Sequence, residues 1–116
     1  MKLERQGETI AWEARGDPGA PCLVLLHNLL TDRTVWDGVA ERLAPGLRLL
    51  LVDLRGHGES SARAPFDVAA LAGDLLAILD AEGVATAEVA GVSLGAAVAV
   101  ELARQAPARV RRLVLL

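Results

Sequence analysis

Strand-length apolar runs alternate with segments of helical spacing along this chain, and no other feature limits its possible folds so strongly. A strand covered on both faces carries apolar residues at consecutive positions, because neither row of side chains meets water. Cys22-Leu-Val-Leu-Leu26 is such a run, Leu47 to Val52 is a second, and Arg112-Leu-Val-Leu-Leu116 begins a third. Strands of this kind are joined in parallel through helices. The chain is therefore expected to be α/β, a mostly parallel sheet with helices on both faces.

The other elements fall between these runs. Glu8 to Ala14 reads as an early strand, closed by the Gly16-Asp17-Pro18-Gly19 turn cluster. Thr34 to Leu43 places Val35, Trp36, Val39 and Leu43 on one helical face, with Pro45-Gly46 as its stop. From Asp67 to Glu82 the apolar residues Val68, Leu71, Leu75, Ile78 and Leu79 recur at three and four, with Asp67 placed to cap the helix and Gly83 to end it. Glu88 to Ala90 reads as a strand leading into Gly91, and a further helix is expected from about Leu94 to Gln105, before Pro107. There is no internal repeat or low-complexity tract.

Length and composition narrow the function classes. A chain of 116 residues has room for one compact domain, not two with separate cores. Its hydrophobic content of 53%, against roughly 45–50% in ordinary soluble domains, rules out disorder as the main reading. Phe66, Trp12 and Trp36 are the only aromatics, and 12 basic against 15 acidic residues leave a net charge of −3, so neither base stacking nor phosphate attraction is favoured and no nucleic-acid partner is expected. Cys22 is the single cysteine, which excludes an intrachain disulfide and fits a reducing, cytoplasmic setting. The opening residues carry Lys2, Glu4 and Arg5 with no apolar stretch behind them, so no secretory signal is expected. The uncharged run from Val89 to Val100 is about 12 residues, short of the roughly 18 that a spanning helix needs, so no membrane segment is expected.

Gly91-Val92-Ser93-Leu94-Gly95 follows an expected strand and opens an expected helix. In that context G-x-S-x-G lifts a serine hydroxyl off the sheet on a sharp, strained turn, and the flanking glycines relieve the crowding of backbone against backbone. The helix N-terminus leaves amides free, among them that of Leu94, to meet an oxyanion forming on a substrate carbonyl. The pentapeptide alone has a second reading, small residues that let a helix pack tightly on a strand. Two more segments bear on the choice. His27-Asn28-Leu29-Leu30 follows the first buried strand, and Asp53-Leu54-Arg55-Gly56-His57-Gly58-Glu59-Ser60 follows the second.

With these three motifs in order, the sequence resembles the α/β-hydrolase fold superfamily, in its branch of esterases, 3-oxoadipate enol-lactonases and haloperoxidase-like proteins. The resemblance runs along the whole chain and includes Trp36-Asp37 in the first helix and the closing Arg-Leu-Val-Leu-Leu strand. It implies a nucleophile at Ser93, oxyanion amides at Leu94 and at Leu29 in the His27 turn, a small-molecule ester or lactone substrate, and neither cofactor nor metal. Asn28 stands where the family has glycine. Asparagine tolerates a left-handed backbone, so the turn is expected to survive, with the carboxamide either donating a hydrogen bond to substrate or narrowing access.

The family order is serine, then acid, then histidine, whereas both histidines of this chain precede Ser93. His27 is expected to hold its turn by hydrogen bonds and His57 to be structural, so neither is expected to serve as base. Asp53 reads as loop scaffolding and not as the triad acid. Cys22 is expected to be an inert small hydrophobe, Arg109, Arg111 and Arg112 a solvated turn, and Glu101 with Arg104 a pair on an exposed helix face. Residues 1–116 thus read as the N-terminal part of a single α/β-hydrolase domain, truncated before the later strands, and so as a catalytically incomplete serine hydrolase. Other chemistry on the same site (C–C hydrolysis, perhydrolysis or a lyase reaction) stays open. So does a non-catalytic or split module, with a complementing chain or a second copy pairing along the Arg112 to Leu116 edge.

Overall fold

The computed structural model describes all 116 residues. Six strands, β1 (Lys2–Arg5), β2 (Glu8–Gly16), β3 (Cys22–Leu26), β4 (Arg48–Asp53), β5 (Ala87–Gly91) and β6 (Val110–Leu115), form one sheet in the order β1-β2-β4-β3-β5-β6. The four strands β4, β3, β5 and β6 are parallel; β2 joins β4 antiparallel and β1 joins β2 antiparallel. The α/β fold read from the sequence is therefore present. The hairpin of β1 and β2 is an addition to it. Its two-residue loop, Gln6-Gly7, has positive φ at both positions, as the tightest hairpin turns require.

Alternation along β4 shows how the two faces are covered. Leu50 and Val52 join the core beneath α2 (Val68–Ala81) and α3 (Leu94–Gln105), while Leu49 and Leu51 pack with Trp36 and Ala40 beneath α1 (Asp37–Leu43). Helices thus lie on both faces, as expected. The first core holds 19 buried residues and the second 6, so the α1 face is the thinner one.

The long helix is built as its sequence implies. The Asp67 carboxylate accepts the Ala70 N–H at 2.8 Å, and Gly83, at φ +67, ends the helix with Val84 N–H donating to the Leu79 carbonyl. The segment before α1 departs from expectation. Thr34 to Leu43 is not one helix: Asp32 caps a 3₁₀ turn at Arg33–Trp36, and α1 starts only at Asp37. Trp36 and Ala40 are the buried residues of this segment, and Val35 and Val39 are 48% and 41% exposed. Arg109 departs as well. It is no freely solvated residue, since its guanidinium donates to the Val84 and Ala85 carbonyls at 2.8 and 2.7 Å beyond the end of α2. Arg111 and Arg112 are exposed.

Candidate active site

The loops that follow β3 and β5 leave the sheet toward opposite faces, β3 toward α1 and β5 toward α3. In open α/β sheets such a reversal, at the carboxyl ends of the two strands, is the place where ligands are taken. Ser93 and the turn beginning at His27 both lie there.

Ser93 has φ +53 and ψ −108, a backbone state that non-glycine residues occupy only when their surroundings enforce it. Its neighbours do so. Val92 N–H donates to the Leu26 carbonyl at 3.1 Å, Ser93 N–H to the Leu116 carbonyl at 2.9 Å, and Gly95 N–H to Val92 at 2.9 Å. A Cβ at position 91 would lie 2.3 Å from the Gly95 carbonyl, and one at position 95 would lie 2.5 Å from the Leu26 carbonyl oxygen. The two glycines are thus required by contact distance, and α3 begins directly against the end of β3. The Ser93 side chain is exposed, its hydroxyl makes no hydrogen bond within the chain, and the amide of Leu94 donates none.

The turn after β3 is closed by Thr31, whose N–H and hydroxyl donate to the Asn28 carbonyl at 3.4 and 2.7 Å. Its left-handed residue is Leu30, at φ +65, and not Asn28 as the sequence suggested. Asn28 does not have positive φ, and its carboxamide oxygen lies 2.9 Å from the Thr31 hydroxyl. The Leu29 amide between them donates no hydrogen bond in the chain.

Neither histidine is hydrogen-bonded to Ser93. Leu54 N–H donates to His27 Nε2 at 3.0 Å, which makes Nε2 the lone-pair nitrogen, so Nδ1 carries the proton and donates to the Asn28 carbonyl at 2.8 Å. Both ring nitrogens are therefore engaged. Burial holds the His27 ring below the usual histidine range, with the Asn28 bond opposing the shift and the nearby His57 adding to it. The His57 ring lies 4.9 Å away, its Nδ1 bonded to the Arg55 carbonyl at 2.9 Å.

Asp53 is scaffolding, as the sequence suggested. Its carboxylate accepts the backbone N–H of Arg33 at 2.8 Å and of Glu59 at 3.0 Å, and it pairs with the Arg33 guanidinium. Gly58 makes room for it, since a Cβ there would lie 2.3 Å from Asp53 Oδ2. Sequence reading missed two partners in this region. Arg33 joins Asp53 to Glu59 across three segments, and Asp74 of α2 holds the buried Arg55 through two bonds of 2.8 and 2.9 Å. A signal for Asp74 existed: it is a carboxylate among the apolar positions of α2, and a buried charge needs a partner.

Cys22 is buried, and desolvation pushes its thiol up to about 11, as suits an unreactive core residue. Glu101 and Arg104 pair at 2.6 Å on the surface of α3. No three His, Cys, Asp or Glu side chains converge on a common point where a metal ion would fit. No helix is long and apolar enough to cross a membrane.

Residues 21–116 match the family model described as alpha/beta hydrolase fold, and the chain belongs to that family. It is 44% identical, over 96 residues, to a pimeloyl-[acyl-carrier protein] methyl ester esterase of Nitrosomonas europaea, covering 82% of this chain and 36% of the esterase. Against a 3-oxoadipate enol-lactonase of Acinetobacter baylyi the identity is 34%, over the same shares of the two chains. The crystal structure of a hydrolase from Pseudomonas aeruginosa superposes with a TM-score of 0.94 at 37% identity, over 99% of this chain and 44% of that one. The chain thus spans well under half the length of each of these relatives.

Proposed function

We propose that Ser93 is the nucleophile of a hydrolase that cleaves a small-molecule ester or lactone. The observation that carries this reading is the backbone of Ser93. At φ +53 and ψ −108 it presents an exposed hydroxyl beside the unbonded amide of Leu94. In the mechanism, a histidine takes the hydroxyl proton as Ser93 Oγ attacks the carbonyl carbon. The carbonyl oxygen becomes an oxyanion received by the amides of Leu94 and Leu29, and Asn28 Nδ2 lies on the same turn to donate to the substrate. Collapse expels the alcohol, and water then releases the acid from the acyl-enzyme. His27 has no free nitrogen for the first step, and His57, held through Nδ1 by the Arg55 carbonyl, makes no hydrogen bond to Ser93, so neither is assigned as the base. The names of the esterase and lactonase relatives support the substrate class, and no step requires a metal or cofactor.

A fluorophosphonate reagent followed by peptide mass mapping tests this reading. A single adduct on Ser93, lost in Ser93→Ala, is expected; an adduct elsewhere, or none, overturns it. A second reading, a module that binds a complementing chain or a second copy along β6, is favoured by the apolar residues Val114 and Leu115, both 48% exposed on that edge strand.

A further inference from the structure

The Leu29 amide is half of a peptide unit whose other half, the Asn28 carbonyl, is held by several donors. Thr31 donates to that oxygen through its hydroxyl at 2.7 Å and its N–H at 3.4 Å, and His27 donates through Nδ1 at 2.8 Å. A carbonyl oxygen has two lone pairs, and the two short bonds, both from side chains, fill them. The chain has no cis peptide, so across the planar unit the Leu29 N–H points opposite to the Asn28 carbonyl. Turning that N–H aside would pull the carbonyl from its donors.

The two donor side chains are anchored differently. His27 Nε2 accepts the Leu54 N–H at 3.0 Å, which ties its ring to the loop after β4. The Thr31 hydroxyl bonds within the turn alone, lying 2.9 Å from the Asn28 carboxamide oxygen as well. Two residues further on the chain is fixed independently, by the Arg33 N–H donating to the Asp53 carboxylate at 2.8 Å. The turn therefore keeps its place without the Thr31 hydroxyl, and what the hydroxyl adds is the direction of one peptide. A carbonyl that accepts strong bonds also polarises its own peptide, which strengthens the bond that the N–H donates.

Resting on the reading of Ser93 as nucleophile and Leu29 as an oxyanion amide, we propose that Thr31 is a positioning residue. Its hydroxyl holds the Asn28–Leu29 peptide with the N–H directed at the oxyanion and polarised for it. This is done before substrate arrives, so no reorganisation is needed as charge develops.

An ethyl fluorophosphonate tests this, with Ser93 adducts followed by mass and amide protons by NMR. The Oγ–P bond forms, the P–F bond breaks, fluoride leaves and the hydroxyl proton passes to buffer, and the phosphonyl oxygen takes the oxyanion position. In the unaltered chain the Leu29 and Leu94 amide protons should both move downfield on attachment. Thr31→Val keeps the branched shape and the backbone N–H but not the hydroxyl. Attachment should then slow by about threefold to tenfold, the worth of one hydrogen bond, and the Leu29 movement should shrink while that of Leu94 stays. Thr31→Ser should restore both. An unchanged rate, or an unchanged Leu29 movement, in Thr31→Val overturns the role of Thr31 while leaving Ser93 as nucleophile. An adduct of the unaltered chain that moves Leu94 but not Leu29 overturns it without any variant. No adduct at Ser93 overturns both the role of Thr31 and the nucleophile.

Discussion

Single residues at this site are held by contacts that leave little freedom, and their substitution has calculable consequences. Gly58 has positive φ and would bring a Cβ to 2.3 Å from the buried Asp53 carboxylate. Gly58→Ala should therefore lower stability by at least about 2 kcal/mol in denaturant unfolding. His27 is neutral in the fold because Leu54 N–H occupies its lone pair, with His57, Asp53 and Asp32 as the charged or titratable groups around it. Its folded pKa lies below the unfolded value of 6.5, so the unfolded chain binds the proton first. Stability is complete above about pH 6.5 and declines as pH falls toward the folded pKa, by at most about 1.4 kcal/mol per pH unit. Thermal unfolding between pH 7.5 and 5.5 should show this decline, and His27→Gln should flatten it. The glycines around Ser93 were legible in the sequence because a motif names their spacing. The left-handed Leu30 was not, because nothing in a leucine announces positive φ and Asn28 offered a more ordinary candidate.

At the scale of elements, the helices owe their limits to local chemistry and their placement to buried charge. Asp67 caps α2 through the Ala70 amide, so Asp67→Ala should cost about 1 kcal/mol. Asp74 on the same helix pairs with Arg55 and Arg5, fastening α2 to the loop after β4 and to the β1–β2 hairpin. With Asn at 74 the buried guanidinium loses its counterion, and Asp74→Asn should destabilise by about 3 kcal/mol. Equilibrium unfolding of the two variants separates these effects by size. Periodicity fixed α2 and α3 well, since each is long enough for its apolar spacing to repeat. It failed before α1, where a 3₁₀ turn of four residues shifts the phase of the pattern. The β1–β2 hairpin escaped notice because Gln6-Gly7 lacks the asparagine or aspartate that usually marks such a turn.

Within these 116 residues the sheet is covered well on one face and thinly on the other, and β6 is an edge strand with Val114 and Leu115 half exposed. Such an edge recruits other strands. Sedimentation velocity at rising concentration should show self-association of these 116 residues, and Val114→Lys should shift them toward monomer. The parallel sheet was readable from the order of apolar runs, whereas the charge clusters around Asp53 and Asp74 join distant segments and leave no periodic trace. The central claim is that Ser93 is a nucleophile for which neither His27 nor His57 serves as base. Its most direct test compares the second-order rate of fluorophosphonate attachment at Ser93 with that of a full-length esterase of the family under the same conditions. General-base assistance is worth roughly 10²–10⁴ in rate, so attachment at Ser93 should be slower by that factor; a rate equal to the full-length enzyme's, or attachment at another residue, would contradict the claim.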